Sequence, residues 1–396
     1  MSQTKLRIGY IPLVDAAALV IAVDQGFAAA EGLAVELVRE VSWSNVRDKL
    51  NIGLFDAAHL LSPMAIASSL GIGHVRVPII APFNLGLNGN AVTVSPRLFT
   101  TLVGFADGDL FDPKVSARAL AHAVAERKVR GAEPLTFGMT FPFSNHNYQL
   151  RFWMAAGGID PDEDVRLVVL PPPYMVESLV SDHVDGFCVG APWNSVAVNS
   201  GAGRILHFGC EIMARTSEKV LAVRDRWAMA NPDTLAALIR ALARAAEFVD
   251  DIMNRNVVAA MVGQRLDVDP DLIARTLAGH LAIAPDGATR ASDRYILISR
   301  DGASRPDPVQ AAWLYTQIAR WGQAPLSEEL RASAESVFRP DLYDAALGGK
   351  PIYDDRNPRD GVGAFVGPDF AADDVAGYLA TWDNGLADRT HLSVVR

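Results

Sequence analysis

Residues 135–159, LTFGMTFPFSNHNYQLRFWMAAGGI, combine a strand-like run, a polar turn and an aromatic-rich helical run. The strand-like run breaks at Pro142. Either Ser144 or Asn145 suits the N-cap of the helix, because a short polar side chain there accepts a hydrogen bond from a free backbone N–H group. The paired glycines at 157–158 suit its C-terminus. The stretch therefore predicts a strand, a tight polar turn and a capped helix.

The polar turn is a candidate anion site. The first turn of a helix presents free N–H groups and the positive end of the helix dipole, and both attract small anions. His146 adds a side-chain donor at the same place. The alternative is an ordinary capped helix whose polar turn faces water, and this stretch alone does not decide between the two.

Strand-like and helix-like segments alternate at short spacing on both sides of this stretch, which is typical of parallel sheets covered by helices. Asp15 is predicted to cap a helix over 16–30, and Ser42 or Ser44 a helix starting near residue 43. The further strands are predicted at 6–11, 33–38, 55–61, 75–81, 165–170, 185–189 and 220–223. Helices dominate beyond residue 223, with predictions at 232–251, 257–265, 270–278, 308–321 and 327–336.

This pattern predicts an α/β fold with two lobes. Residues 84–95 have turn residues first and strand character afterwards, which suits a crossover between lobes. Lobe 1 is predicted to comprise residues 1–91 and 211–396, including a helical C-terminal part, and lobe 2 residues 92–210. Ligands of such sheets bind beyond the strand ends, so the site is expected in the cleft between the lobes.

Composition excludes several classes of function. The chain has 396 residues and a formal net charge of −10, which argues against direct binding of nucleic acid or of anionic membranes. No P-loop, GxSxG elbow, GxGxxG turn or HExxH motif is present, so neither catalysis nor a metal or cofactor is predicted. Cys188 and Cys210 lie in apolar, strand-like surroundings and are interpreted as buried inert thiols. A nucleophile pair of Cys188 with His146 or His183 is the enzymatic alternative, which the sequence does not support.

The first predicted strand begins near residue 6, which leaves no room for a signal peptide, and no apolar run is long enough to span a bilayer. The expectation from this sequence is a cytoplasmic protein, unless a leader has been removed.

Four polar residues lie at predicted strand ends, turns or helix starts. They are Trp43, Asn90, His146 and Lys219. Each also has an ordinary structural explanation, which is, in the same order, a core tryptophan, a turn asparagine, part of a helix cap and a solvated lysine.

Together, several motifs around these positions resemble the nitrate-binding family of ABC-transporter solute receptors. The similarity runs from about residue 6 to residue 260 and continues more weakly to the end. In chain order the motifs are SWSNVRDKL (42–50), LNGN (87–90), FPFSNHNYQLRFW (141–153), PPPYMVESL (171–179), DGFCVGAPWN (185–194) and SEKVLAV (217–223). The resemblance implies a periplasmic-binding-protein-like (type II) pair of α/β lobes that closes on an anion.

The resemblance also implies that nitrate or nitrite contacts Trp43, Asn90, His146 and Lys219. Nitrate is planar, singly charged and accepts hydrogen bonds only, so its pocket needs several donors and a compensating positive charge. Lys219 is expected to supply the charge, and the other three side chains are expected to supply N–H groups. Nitrate-transport receptors usually carry glutamine at the position of Asn90. Bicarbonate-binding relatives carry an acidic residue near the position of Lys219, so lysine there favours nitrate or nitrite.

Within this family the chain is most similar to the cytoplasmic nitrate/nitrite sensors of a two-protein antitermination system. In that system the ligand-free sensor holds an RNA-binding antiterminator of the ANTAR type inactive, and nitrate or nitrite releases it. The partner is expected to bind the RNA, in keeping with the acidic charge of this chain. The alternatives are a receptor subunit of a nitrate ABC transporter and a small-molecule enzyme of the same fold.

Overall fold

The computed structural model describes residues 3–349 and 361–382. The predicted lobe 1 therefore includes segments, 350–360 and 383–396, that lie outside the described residues. The strands are β1 (Thr4–Tyr10), β2 (Leu33–Arg39), β3 (Ala57–Leu61), β4 (Ile79–Asn88), β5 (Asn90–Val94), β6 (Thr136–Met139), β7 (Arg166–Val169), β8 (Gly186–Gly190), β9 (Arg204–Phe208), β10 (Ser217–Arg224), β11 (His280–Ala282), β12 (Thr289–Ala291) and β13 (Ile296–Leu297).

The helices cover both sheets and form most of the C-terminal part. They are α1 (Ala17–Asp24), α2 (Phe27–Ala30), α3 (Trp43–Asn51), α4 (Ser62–Leu70), α5 (Pro96–Phe105), α6 (Pro113–Val129), α7 (Asn145–Ala156), α8 (Met175–Val180), α9 (Trp193–Asn199), α10 (Gly209–Ile212), α11 (Asp225–Ala230), α12 (Pro232–Asp250), α13 (Arg255–Leu266), α14 (Pro270–Leu277), α15 (Pro308–Arg320), α16 (Glu328–Glu335), α17 (Pro340–Ala346) and α18 (Val375–Ala380). None of the helices in the described ranges is both long and apolar enough to cross a membrane.

Two main sheets organise the chain. The first has the strand order β13-β4-β10-β3-β1-β2, and the second has the order β7-β6-β8-β5-β9. The chain crosses from the first sheet to the second between β4 and β5, as predicted for residues 84–95, and returns between β9 and β10. Asn88 and Gly89 make this first turn at φ values of 59° and 90°. The lobe boundaries at 91 and 210 stay a prediction, because sheet membership does not assign the intervening loops and helices.

The expectation of parallel sheets is correct for only some strand pairs. β1 runs parallel to β2 and β3, and β6 runs parallel to β7 and β8. The two strands that carry the chain between sheets, β5 and β10, run antiparallel to both of their neighbours. The sheets are mixed because a strand that enters from the other sheet need not follow the direction set by a βαβ crossover.

Two capping predictions are confirmed and one is wrong. The hydroxyl oxygens of Ser42 and Ser144 accept hydrogen bonds from the backbone N–H groups of Asn45 and Asn147, at 3.3 and 3.2 Å, and so cap α3 and α7. The segment 16–30, predicted to be helical with an interruption at Gly26, forms the two helices α1 and α2, and Gly26 separates them at a φ of 78°. Its proposed cap, Asp15, is buried and makes its contacts elsewhere.

Candidate functional site

The structure brings the four predicted ligand residues together between the two sheets. Trp43 begins α3 and Lys219 lies on β10, both associated with the first sheet; Asn90 begins β5 and His146 lies in the first turn of α7, both associated with the second. Each side chain is at most 1% exposed. Of the open alternatives, the solvated lysine and the water-facing turn are therefore wrong for Lys219 and His146.

Glu218 connects three of these residues. One of its carboxyl oxygens, Oε1, lies 2.8 Å from Lys219 Nζ and 3.5 Å from His146 Nε2. The other, Oε2, accepts a hydrogen bond of 2.8 Å from Asn90 Nδ2. An acidic side chain is therefore buried at the centre of the site beside Lys219. An acidic residue near this position was expected only of the bicarbonate-binding relatives.

A β-bulge explains how Glu218 and Lys219, neighbours in sequence, reach the same site. Regular strand geometry sends successive side chains to opposite faces. Where β10 pairs with β4, however, Ser217 faces Leu87 and Lys219 faces Gly86, so Glu218 is an extra residue in the ladder. Bulges of this kind bend the strand and change the direction of a side chain.

Lys219 is neutralised by two carboxyl groups. Besides Glu218, Asp15 Oδ2 lies 3.1 Å from its ammonium nitrogen, and that nitrogen is 5.4 Å from the centre of the Trp43 ring. Burial acts to lower the pKa of Lys219, but the neighbouring Asp15 and Glu218 carboxyls outweigh it and raise the pKa. Conversely, burial acts to raise the pKa of Asp15, but Lys219 and His59 bring it down to about 2.

His59 fixes the other side of Asp15. Its Nε2 lies 2.9 Å from Asp15 Oδ1, and its Nδ1 accepts a hydrogen bond of 3.4 Å from the backbone N–H of Ile11. This arrangement assigns the imidazole proton to Nε2 and directs it at the carboxylate. Burial lowers the pKa of His59, so the ring is neutral at neutral pH.

Besides His59 Nε2 and Asp15 Oδ1, which face each other at 2.9 Å, the buried polar atoms of the site without a hydrogen-bond partner in the part of the chain that the structure describes include Trp43 Nε1, Asn90 Oδ1 and His146 Nε2. The hydroxyl of Thr140 lies 2.9 Å from His146 Nδ1. If that hydroxyl donates, Nε2 carries the imidazole proton and presents a free N–H group. Unpaired buried polar atoms cost free energy, and their concentration here indicates a place where a ligand pairs with them.

Asn90 does not present the free N–H groups that were expected of it. Its Nδ2 donates to Glu218 and, over 3.1 Å, to Gln149 Oε1. The opposite amide orientation would place Asn90 Oδ1 against the two oxygen acceptors instead. In this arrangement Asn90 offers an acceptor to the site rather than a donor.

Both cysteines are free and buried, which confirms their interpretation as unpaired thiols. The Cys188 thiol lies 3.5 Å from Gln149 Oε1, near Asn90. Burial raises the pKa of Cys188 well above its ordinary value, so its reactive thiolate form is disfavoured.

The unfolding free energy is expected to decrease as the pH falls from about 6.5 to about 4, in part because of His146. Burial lowers its pKa from 6.5 to about 4, while the nearby Glu218 opposes the shift only partly. Between these pH values the His146 imidazole is protonated in the unfolded chain but not in the folded chain. Its contribution to the free energy of unfolding is therefore complete above pH 6.5 and is lost as the pH falls toward 4. Urea denaturation of the wild type and of His146→Gln between pH 4 and 7.5 measures this contribution. An equal pH dependence in both proteins would contradict it.

Comparison with known proteins identifies the family. Residues 1–263 match the NMT1-like family. The chain belongs to this family. It is 31% identical over 354 residues to the nitrate/nitrite binding protein NrtA of Nostoc sp., an alignment that covers 87% of this chain and 77% of the relative.

A relative named for a different anion is equally similar. The chain is 33% identical over 386 residues to the bicarbonate transport ATP-binding protein CmpC of Synechocystis sp., covering 96% of this chain and 55% of CmpC. The chain thus spans about half the length of that longer relative.

The fold is also shown by a solved structure, the periplasmic nitrate-binding protein NrtA from Synechocystis PCC 6803. The two structures superpose with a TM-score of 0.86 and 27% sequence identity, covering 96% of this chain and 98% of NrtA. The predicted periplasmic-binding-protein-like, two-lobed α/β fold is therefore confirmed. The NrtA relatives are named as binding proteins rather than enzymes, which agrees in outline with the prediction of a non-enzymatic protein.

Proposed function

We propose that this chain binds nitrate or nitrite in the buried site between its two sheets. The observation that carries the proposal is the pair of unpartnered buried nitrogens, Trp43 Nε1 and His146 Nε2, beside the Lys219 ammonium. An acceptor-only oxyanion would pair with both N–H groups and take up part of the lysine charge. The names of the NrtA relatives support this assignment.

Asn90 has a different role from the one first expected. Its amide holds Glu218 Oε2 and Gln149 Oε1, so it positions Glu218 within the site. For Asn90 to donate to nitrate directly, one of these two hydrogen bonds would have to open.

Bicarbonate is the second candidate ligand, and the acceptors of the site favour it. Glu218 and the unpaired Asn90 Oδ1 would each accept a hydrogen bond from the O–H group of bicarbonate, which nitrate lacks. The similarity to CmpC, named as a bicarbonate transport protein, supports keeping this candidate.

Replacement of Trp43 with phenylalanine is expected to weaken nitrate or nitrite binding by about 10- to 100-fold. The substitution keeps an aromatic ring beside Lys219 and removes the buried N–H group, and a hydrogen bond to a charged group contributes about 1.5–3 kcal/mol. Calorimetric titration with nitrate and nitrite measures the change.

The matched control for this substitution is Trp227→Phe on α11, a half-buried tryptophan that packs against a different hydrophobic cluster from that of Trp43, and the nitrate affinity of this variant should equal that of the wild type. Wild-type affinity in Trp43→Phe would remove Trp43 Nε1 from the binding site.

At the level of the cell, we propose the role of a cytoplasmic nitrate/nitrite sensor that controls an RNA-binding, ANTAR-type antiterminator of nitrate assimilation genes. The motif resemblance supports this role, and the net charge of −10 is compatible with leaving the RNA to the partner. The alternative is a receptor subunit of an ABC transporter, which the names of the relatives favour.

Size-exclusion chromatography of the chain mixed with such an antiterminator, with and without nitrate or nitrite, tests the sensor role. A complex that dissociates when ligand is added is the expected result. Failure to form any complex in the absence of ligand would count against the sensor and in favour of the transport receptor.

A further inference from the structure

The site already contains more negative than positive side chains before any anion enters. As carboxylates, Asp15 and Glu218 contribute two negative charges against the single positive charge of Lys219. His59 and His146 do not restore the balance, because burial lowers the pKa of both rings. The formal charge of this buried cluster is therefore −1.

A bound nitrate or nitrite would raise that buried charge to −2. Charges removed from water carry a desolvation cost of several kcal/mol each unless they are compensated. Asp15 is compensated on both oxygens, by Lys219 at 3.1 Å and by His59 at 2.9 Å. The carboxyl group next to which the anion must bind is therefore that of Glu218.

The geometry places the anion next to Glu218. Its Oε1 lies against Lys219 and His146, two of the groups to which an anion would bind. An ionised carboxylate and nitrate both only accept hydrogen bonds, so neither can donate to the other. A single proton on Glu218 would remove the repulsion and supply a donor, while Oε2 could continue to accept from Asn90.

We propose that binding of an oxyanion at this site is coupled to the uptake of one proton by Glu218. This inference rests on the proposed function. The proton comes from solvent: the Glu218 carboxylate, one proton and one nitrate together give a protonated Glu218 and a bound anion, and the charge of the cluster stays at −1. Glu218 is thus a specificity-determining residue, because bicarbonate can donate a hydrogen bond to its carboxylate and nitrate cannot.

The other titratable groups that face Glu218 are less suitable proton acceptors. Lys219 is held protonated and Asp15 ionised by their mutual contact. Burial raises the pKa of Cys188, so that thiol already carries its proton. His59 directs its N–H at Asp15, and its other nitrogen is occupied by the Ile11 N–H. His146 is the remaining competitor, and a variant of Glu218 separates the two.

Calorimetric titration of nitrate at pH 7, in buffers with different ionisation enthalpies, measures the number of protons taken up. Nitrate itself has no titratable proton in this range. The wild type is expected to take up close to one proton per nitrate, and its dissociation constant is expected to increase about tenfold per unit of pH between 6 and 8.

Glu218→Gln keeps the size and the hydrogen-bonding capacity of the side chain and removes the carboxylate. Its proton uptake should fall to near zero, and its nitrate affinity should no longer depend on pH. The matched control is Glu40→Gln: Glu40 is buried and pairs with Lys49, and this variant should retain the uptake of one proton.

Nitrate binding by the wild type without proton uptake would overturn the inference and leave the proposed function standing. Uptake of one proton that persists in Glu218→Gln would also overturn it, because the proton would then reside elsewhere, with His146 the first candidate. Absence of nitrate binding at every pH would overturn both proposals. If Glu218→Gln does not fold, His146→Gln separates the two groups instead: uptake of one proton that persists in this variant assigns the proton to Glu218, and its loss would overturn the inference.

Discussion

Replacement of Lys219 with glutamine is expected to weaken nitrate binding by at least about 30-fold. Lys219 is the cation at the centre of the site, between Asp15, Glu218 and the Trp43 ring. Its removal leaves two buried carboxyls next to the anion, and loss of one partner of a buried charge pair costs about 2–5 kcal/mol in binding. Lys219→Glu should be still more severe, because it adds a third acidic group.

The matched control for this prediction is Lys49→Gln, which removes a lysine that pairs with Glu40 outside the site. Nitrate titrations of both variants, together with their thermal unfolding curves, separate lost binding from lost folding. A folded Lys219→Gln protein that binds nitrate with the affinity of the Lys49→Gln control would show that the site lies elsewhere.

Replacement of Asp15 with alanine is expected to lower the free energy of unfolding by about 3–5 kcal/mol. Asp15 is buried and contacts Lys219 and His59, so its removal leaves the charge of Lys219 less compensated and the His59 N–H without its acceptor. Breaking a buried ion pair from one side has a cost of this size. Urea denaturation of the ligand-free protein at pH 7 measures it.

Asp24→Ala provides the comparison for the Asp15 variant, because Asp24 also pairs with a cation, Arg265, but in a partly exposed position on the surface. Its unfolding free energy should decrease by no more than about 1 kcal/mol. Equal effects of the two substitutions would mean that the buried cluster contributes no more to stability than a surface ion pair.

The α/β class and several helix starts could be predicted because they depend on residues that are close together in the sequence. Alternating strand and helix segments indicated the α/β class, and the N-cap residues Ser42 and Ser144 indicated where α3 and α7 begin. The antiparallel direction of β5 and β10 was not predictable in the same way, since it depends on how the chain passes between the two sheets.

The candidate site was predicted only in part, and the missing residues have identifiable reasons. Asp15 was interpreted as a helix cap because it precedes a helical run, but burial and Lys219 direct its carboxylate into the site. Glu218 precedes the strand predicted at 220–223, and no local sequence rule places its carboxylate beside Lys219; the bulge in β10 does so. His59 lies within the otherwise apolar strand β3 and could have indicated a buried polar cluster, because a buried histidine in such a strand requires a hydrogen-bond partner.

The geometry also changes what selects the ligand. Lys219 alone favoured nitrate or nitrite over bicarbonate, but Glu218 and Asn90 Oδ1 add two acceptors to the same site. The preference therefore depends on whether the donors or the acceptors make the stronger contacts with the bound anion.

Calorimetric titration of the purified protein with nitrate, nitrite, bicarbonate and sulfate tests the central claim most directly. We expect saturable heat with nitrate or nitrite at one ligand per chain, and this heat should be lost in Lys219→Gln. Absence of binding heat with both nitrate and nitrite across pH 6 to 8, in a folded protein, would contradict it.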